Sequence, residues 1–445
     1  MQSIRIALVL ALVLAPLVHA AGPLCAGRAP ELFPHVPVRS YGAPKHGCAV
    51  GVGAQRTFWA WDFSVMPPAF RKVNATCRAS GNRGAVFVDD AEWGTHFTGD
   101  DLTLITERFE HSTPTGSQDP ARGICENVSR TFAAPPVGLD GEPRVVLLFT
   151  AMASFNGTSF DGYFNAFDTL TDADAMAQAQ QHSNECNVLY LNTRGSPISS
   201  DYMLGVISHE LSHLVCHPFD AEEESWLDES LGEAAMIACG YPIDVKHLAA
   251  FAKKPETPLI TTGYVSYGAC FLFGTYLLEQ LGPAAIGQIV HDPKHGVAGL
   301  EATLASAGRV SFKRFYAEWA TANLVASSTP CSTALSYHAF PVPELTIREA
   351  SALPAEDAGE LAPYKLRYLK LPTNVPVHVS MAFEPSTAAG RLISVRWKSC
   401  GASMDEVLTG GGATSIQQSP AEQALIVVGT EKAGYRLHLE APTAR

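Results

Sequence analysis

His209 and His213 stand four residues apart in the segment Ser208-His209-Glu210-Leu211-Ser212-His213. On an α-helix that spacing places the two rings about 40° apart around the axis and about 6 Å apart along it. Both imidazoles can then reach one ion, with nitrogen–zinc bonds of about 2.1 Å. Glu210 lies about 100° further round the helix, at the edge of the same face. Its carboxylate can reach a water on the ion without binding the ion itself. This is the HExxH arrangement, two metal ligands with a general base between them. The same residues also occur as two satisfied histidines on a surface helix, so the motif needs a third ligand to become a site.

A catalytic zinc takes three protein ligands and keeps a fourth position open. The metzincin pattern would require Gly at 216 and His at 219, where this chain has Cys216 and Phe219. His217 is eight residues from His209, about 12 Å along an unbroken helix. It is expected at the helix end rather than on the ion. Glu229 remains, in Trp226-Leu227-Asp228-Glu229-Ser230-Leu231-Gly232-Glu233. The connection from His213 is long enough to turn back. Glu233 follows one turn later on the same face, where a carboxylate can hold a ligating imidazole by its other ring N–H. A solvated acidic helix is the plainer alternative. Leu227, Leu231, Ala234, Ala235 and Ile237 speak against it, because a mostly buried helix gives its carboxylates partners.

The elements that must position these groups are legible as patterns. Short strands are expected at 57–63, 72–78 and 84–89, divided by Pro, Gly and Asn. A helical spacing covers 101–110. Residues 144–150 (RVVLLFT) form an almost unbroken apolar run, the mark of a strand buried on both faces. Strand patterns follow at 162–168 and 187–193. Helices are then expected at 200–216, 227–239, 246–253, 267–281, 284–291, 299–307 and 312–326. Beyond Ser327 the chain passes a Pro-rich linker and alternates in strand fashion to its end. The domain reading is a signal peptide at 1–20, an N-terminal β region at 21–90, a catalytic α+β domain at 91–328 and a C-terminal β-sandwich at 345–445.

Composition bounds the function. The chain has 445 residues, 47% of them hydrophobic, and a net charge of −13. An acidic surface disfavours nucleic acid and anionic membranes. Arg5, the apolar run 6–18 and Val18-His19-Ala20 read as an export signal. No later stretch has the about 20 apolar residues of a membrane span. The chain is therefore expected to be exported, secreted or periplasmic. Its ten cysteines form no CxxC pairs. Disulfides are expected from the exported setting, with Cys216, Cys239 and Cys270 as alternative buried thiols on helices.

HExxH followed by Trp226-Leu227-Asp228-Glu229 resembles the gluzincin metallopeptidases. Within them the chain is similar to the hyicolysin-like family of secreted bacterial metallopeptidases. The likeness extends over about residues 50 to 325 and includes 57–62, 84–90, the strands before the HExxH helix, and Ser266-Tyr267-Gly268 with 271–281. Ser230 stands where members of that family often carry Gly. The resemblance implies a thermolysin-like α+β catalytic domain and one catalytic Zn2+ held by His209, His213 and Glu229. It implies Glu210 as general base and hydrolysis of a protein or peptide substrate. A Tyr or His from a later helix would steady the oxyanion: Tyr267, with Tyr264 and Tyr276 as alternatives. The strand 187–193 would be the sheet edge along which an extended substrate pairs. The segment 192–200 lacks the carboxylates an aminopeptidase uses to capture a free amine, which favours an endopeptidase. Two alternatives stay open: an aminopeptidase-like zinc hydrolase, and an exported zinc-binding or adhesion protein without catalysis.

Overall fold

The six residues of Val145–Thr150 are all buried, as an apolar run with no polar alternation demands. They lie at the centre of a mixed sheet in the computed structural model, which describes residues 24–25, 51–154, 159–243, 245–261, 266–325, 333–338, 341–398, 401–417 and 419–442. In chain order the first part contains β1 (Leu24–Cys25), β2 (Gln55–Asp62), β3 (Ala69–Ser80), β4 (Gly84–Asp89), α1 (Gly99–Glu110), α2 (Ile124–Thr131), β5 (Val145–Thr150), β6 (Phe160–Phe164), α3 (Asp172–Ala179) and β7 (Val188–Asn192). Seven helices follow: α4 (Asp201–Cys216), α5 (Ser225–Ala238), α6 (Val245–Lys253), α7 (Tyr267–Leu281), α8 (Pro283–His291), α9 (Gly296–Ser306) and α10 (Phe312–Leu324). The remainder is β8 (Arg348–Glu349), β9 (Ala355–Leu361), β10 (Leu366–Lys370), β11 (Val377–Glu384), β12 (Gly390–Lys398), β13 (Gly401–Thr409), β14 (Gly412–Ile416), β15 (Glu422–Gly429) and β16 (Ala433–Glu440).

The first sheet runs β1-β6-β7-β5-β4-β3-β2. β4, β5 and β7 are mutually parallel. β2, β3 and β4 pair antiparallel, as do β6 and β7. One face, with Val86, Leu147, Phe149 and Leu191, packs into the main core beside Val128 of α2 and Val206 and Ile207 of α4. The other face, with Phe87, Val146, Leu148 and Tyr190, closes over a second cluster that includes Phe58 and Tyr163. Both faces are covered, which is why the central strands carry no polar alternation. Residues 55–89, expected as an N-terminal β region, supply three strands of this same sheet.

One expectation is corrected. β7 was the expected sheet edge, but it is flanked by β5 on one side and β6 on the other. The outer strand beside α4 is β6, and β1 runs along its free side.

The C-terminal part has two sheets, ordered β13-β12-β15-β10-β8 and β14-β11-β16-β9. Leu369, Leu392 and Val427 from one sheet and Val379, Met381, Leu437 and Leu439 from the other share one apolar cluster, so the two sheets face each other as a sandwich. Its other inner surface rests on the helices: Ile393, Val395 and Ile426 join the main core with Tyr316 and Trp319. Tyr316 donates to the Tyr364 carbonyl at 2.7 Å. Among the described residues no single helix is long and apolar enough to cross a membrane. Cys125, Cys239 and Cys270 are buried free thiols, which fits the thiol alternative for two of the three helical cysteines named from sequence.

Candidate metal centre

Ser200 starts α4 by accepting from the Met203 amide with its hydroxyl, a normal N-cap. Every residue from Met203 to Cys216 is buried. The HExxH segment is therefore in the interior and not on a surface helix, which removes the plainer reading of its histidines. The chain turns through residues 217–224 and α5 packs back along α4.

This pairing brings His209, His213 and Glu229 together. One nitrogen of each ring and one Glu229 oxygen lie within 4.8 Å of one another, and all three residues are buried. Ligands in a tetrahedral zinc shell stand about 3.4 Å apart, given bonds of about 2.1 Å, so a small inward movement closes the set on an ion. The rings are 4.8 Å apart between centroids and inclined at 73°.

The surrounding carboxylates sort themselves by which ring nitrogen they face. His209 Nε2 faces Glu229 Oε2 at 3.3 Å, and its Nδ1 faces Glu233 Oε1 at 3.8 Å. Glu229 and Glu233 thus lie on opposite sides of one ring, as a ligand and a ring-orienting carboxylate should. His213 Nδ1 faces Asp228 Oδ1 at 3.2 Å, which leaves Nε2 for an ion. Asp228 was not singled out from sequence. Its signal was present, since it directly precedes Glu229 on a buried helix. Gly232 was also missed. A Cβ there would stand 2.6–2.8 Å from three atoms of the His209 ring. Only a glycine lets α5 approach closely enough for this imidazole to lie flat against it.

The polar atoms at this centre lack the partners that buried groups normally have. Both ring nitrogens of His209 and of His213, and both carboxylate oxygens of Glu210 and of Glu229, are buried with no hydrogen bond of acceptable geometry. Burial lowers the His209 pKa. Burial pushes Glu210 up to about 8, against the pull of His213. Burial opposes charge on His213 as well, but Asp228, Glu229 and Glu210 around it hold its pKa up to about 9. Glu233 is raised well above the usual range by burial and by Glu229. A divalent cation resolves all of these together: it neutralises the acids and takes the imidazoles in their neutral form. The donor set therefore fits a metal ion.

No family model matches the chain, and no curated protein matches it either. Three solved structures share parts of it. A periplasmic inhibitor of g-type lysozyme from Aeromonas hydrophila aligns with 14% identity over 22% of this chain and 96% of its own, at a TM-score of 0.18. A de novo designed double-stranded β-helix aligns with 11% identity over 19% of this chain and 99% of its own, at 0.13. A family GH115 4-O-methyl-α-glucuronidase with specificity for decorated arabinogalactans aligns with 9% identity over 75% of this chain and 53% of its own, at 0.15. At these scores none bears on fold or activity, and the chemistry of the centre has to stand on its own residues.

The other expected residues take separate places. His217 follows α4 directly, with its ring against Phe164 of β6 at 5.7 Å. It is not gathered with the ligands, as its distance along the helix predicted. Tyr267 opens α7 and is buried, its ring stacked on His247 of α6 at 5.5 Å. Tyr276 lies further along α7 and donates to the Ala334 carbonyl, which ties it into the core. Tyr264 lies outside the described residues. His291 ends α8, and its Nδ1 donates back to the Gly287 carbonyl at 2.7 Å, a helix-end role. The loop before α4 draws in two carboxylates from elsewhere in the chain. Asp161 accepts from the Ser196 amide at 2.8 Å, and Glu92 takes both Thr193 and Arg194. Both are engaged by the chain itself.

Proposed function

We propose that this chain is an exported zinc-dependent metallopeptidase of the thermolysin-like, gluzincin kind, acting as an endopeptidase on protein or peptide substrates. The observation that carries the reading is the His209–His213–Glu229 set, buried and short of hydrogen bonds, with the equally unsatisfied Glu210 carboxylate one residue from His209 on the same helix. A closed structural site has no use for a fourth, non-ligating acid.

Zinc held there would supply an acidified water and polarise the scissile carbonyl. The rest falls to this chain. Glu210 takes the proton from the water and returns it to the leaving amine. A dication beside this carboxylate would favour its ionised, basic form. Asp228, 3.2 Å from His213 Nδ1, and Glu233, 3.8 Å from His209 Nδ1, are placed to orient the two rings. Tyr267 is the proposed oxyanion donor, and Tyr267→Phe with zinc content unchanged and kcat lowered would support that role.

The exposure of His209 and Glu210 is 0%, which favours a second reading, a zinc-binding protein without catalysis. Zinc analysis and casein hydrolysis, each with and without a chelator, separate the two. One zinc per chain and chelator-sensitive cleavage support the peptidase. Zinc without cleavage in any processed form supports the second reading, and no zinc overturns both.

A further inference from the structure

A cavity of about 710 Å³ lies where α6 meets the C-terminal sandwich. Ligand sites favour such junctions, and their volumes run from about 300 to 1,000 Å³. Its walls come from α6, the end of α10, the strap 341–347, β10, β12 and the start of β15. The strap is held to α6 by the Thr346 amide, which donates to the Ala252 carbonyl at 2.8 Å. None of the lining residues belongs to α4 or α5, so the cavity is separate from the metal centre. Most of the wall is apolar. α6 presents Val245, Leu248 and Ala249, the strap presents Leu345 and Ile347, and β12 adds Trp397. Val245 is 72% exposed, Ala249 is exposed and Trp397 is half-buried. A concave apolar surface left to water is unfavourable, and an apolar ligand relieves it.

The charged side chains on the wall decide the sign of the ligand. They are Lys370, Glu344 and Glu422. Lys370 Nζ stands 3.1 Å from Glu422 and 3.8 Å from Glu349 of β8. The hydrogen bond to Glu422 raises the Lys370 pKa, and the charges of Glu349 and Glu344 add to it. One ammonium thus faces three carboxylates, which leaves two negative charges in excess. Glu422 already matches the ammonium, so an anionic ligand finds no spare cation among the lining residues. A cationic ligand meets Glu344 and Glu349, both exposed. We propose that this cavity binds a small amphiphilic amine, its apolar body against α6, the strap and Trp397 and its ammonium at Glu344 and Glu349. Walls from six parts of the chain surround the space, which suits a small molecule rather than a flat protein partner. Nothing in this site depends on the zinc chemistry.

The test is calorimetric titration of the full chain with octylamine, hexylamine and octanoate at neutral pH. Octylamine should saturate one site. Octanoate has the same chain and the opposite charge, and should bind at least about fivefold more weakly, the factor that one charge pair about 4 Å apart gives in water. Hexylamine, two methylenes shorter, should bind roughly tenfold more weakly. Ala249→Trp fills the cavity from an exposed position and should abolish octylamine binding. Val245→Trp, at another exposed wall position, repeats the test should the first variant fail to fold. Glu344→Gln with Glu349→Gln leaves one ammonium against one carboxylate, and should bring octylamine and octanoate to near-equal affinity. No saturable binding of octylamine overturns the site. Octanoate binding as tightly as octylamine to the unaltered chain overturns the amine preference. Binding that survives both tryptophan variants lies elsewhere and overturns the cavity as its location. A preference for the amine that persists in the double variant comes from the net charge of −13, and overturns recognition by these two acids.

Discussion

Two clusters of buried acids lie on opposite faces of the first sheet and are treated in opposite ways. Under one face, Asp168 is wholly enclosed, and the chain answers both of its oxygens. The Asn184 amide donates to Oδ1 at 2.6 Å and the Tyr190 hydroxyl to Oδ2 at 2.7 Å. Asn184 is fixed in turn by the Trp59 backbone, accepting from its amide at 2.8 Å and donating to its carbonyl at 2.9 Å. On the other face, Glu210 and Glu229 are just as deep, and neither carboxylate has a hydrogen bond of good geometry, the nearest ring nitrogen to Glu229 being His209 Nε2 at 3.3 Å. Leaving a buried acceptor unmade costs about 1–3 kcal/mol, more for a charged group. A chain able to build the Asp168 network could have built a second. The contrast supports the proposal that the centre between α4 and α5, which could hold a metal ion, binds one, whereas the Asp168 cluster is complete as folded.

The largest effect should come from Glu210→Gln, which keeps the shape and removes the proposed base. Hydrolysis should fall by about 10²–10⁴-fold while zinc content stays the same; loss of zinc as well would show that Glu210 acts as a ligand. Next is the response to the ion. Zinc at about 1,000 times its Kd should stabilise the fold by about 4 kcal/mol, seen as a higher Tm that a chelator reverses. An unchanged Tm would mean that the two clusters do not differ in the way described. Asp228→Asn and, separately, Gly232→Ala should each weaken zinc binding by roughly 10–100-fold, measured by competition with a chromophoric chelator. The first releases the His213 ring, and the second pushes the His209 ring aside.

The smallest effect lies at the completed cluster and appears as a pH dependence. Burial pushes Asp168 up to about 7 from an ordinary 3.8. Between those values the folded chain holds a proton that the unfolded chain has released. Stability contributed by this group is therefore present at low pH and declines as pH rises through that window. Asp168→Asn should flatten this slope in denaturant midpoints measured from pH 4 to 8, with zinc content unchanged. A slope that persists in the variant would place the titration elsewhere.

Much of the centre could be read before the fold was seen, because helical spacing is a local property. His209, Glu210 and His213 follow from a period of 3.6, and Glu229 follows from the length of the turn and the burial of the next helix. Glu233 opposite His209 Nδ1 was legible for the same reason. What escaped depends on approach rather than period. Gly232 matters only because α5 comes so close to the His209 ring, and no pattern within a single helix announces that. Asp228 was hidden beside a better candidate. Strand order was not legible either: alternation marks 187–193 as a strand but carries nothing about which strand lies outside it, so β7 was placed at an edge that belongs to β6. The helices α2 and α3 were missed because each has only eight residues, too few for a 3.6 period to declare itself against flanking loops. The C-terminal strands with strong alternation were visible, while β13, mostly exposed along its length, had no apolar face to reveal it.

His209 and Glu229, the most distant of the three proposed ligands in sequence, are twenty positions apart, and everything between them is one helical hairpin. Contacts this local close quickly in a folding chain, since little chain entropy is lost in bringing them together. An ion arriving early would meet its ligands as a hairpin before the seven-stranded sheet, with its far-flung pairings, had finished assembling. The metal would then act as a clasp on a nascent unit as well as a reagent in a finished one.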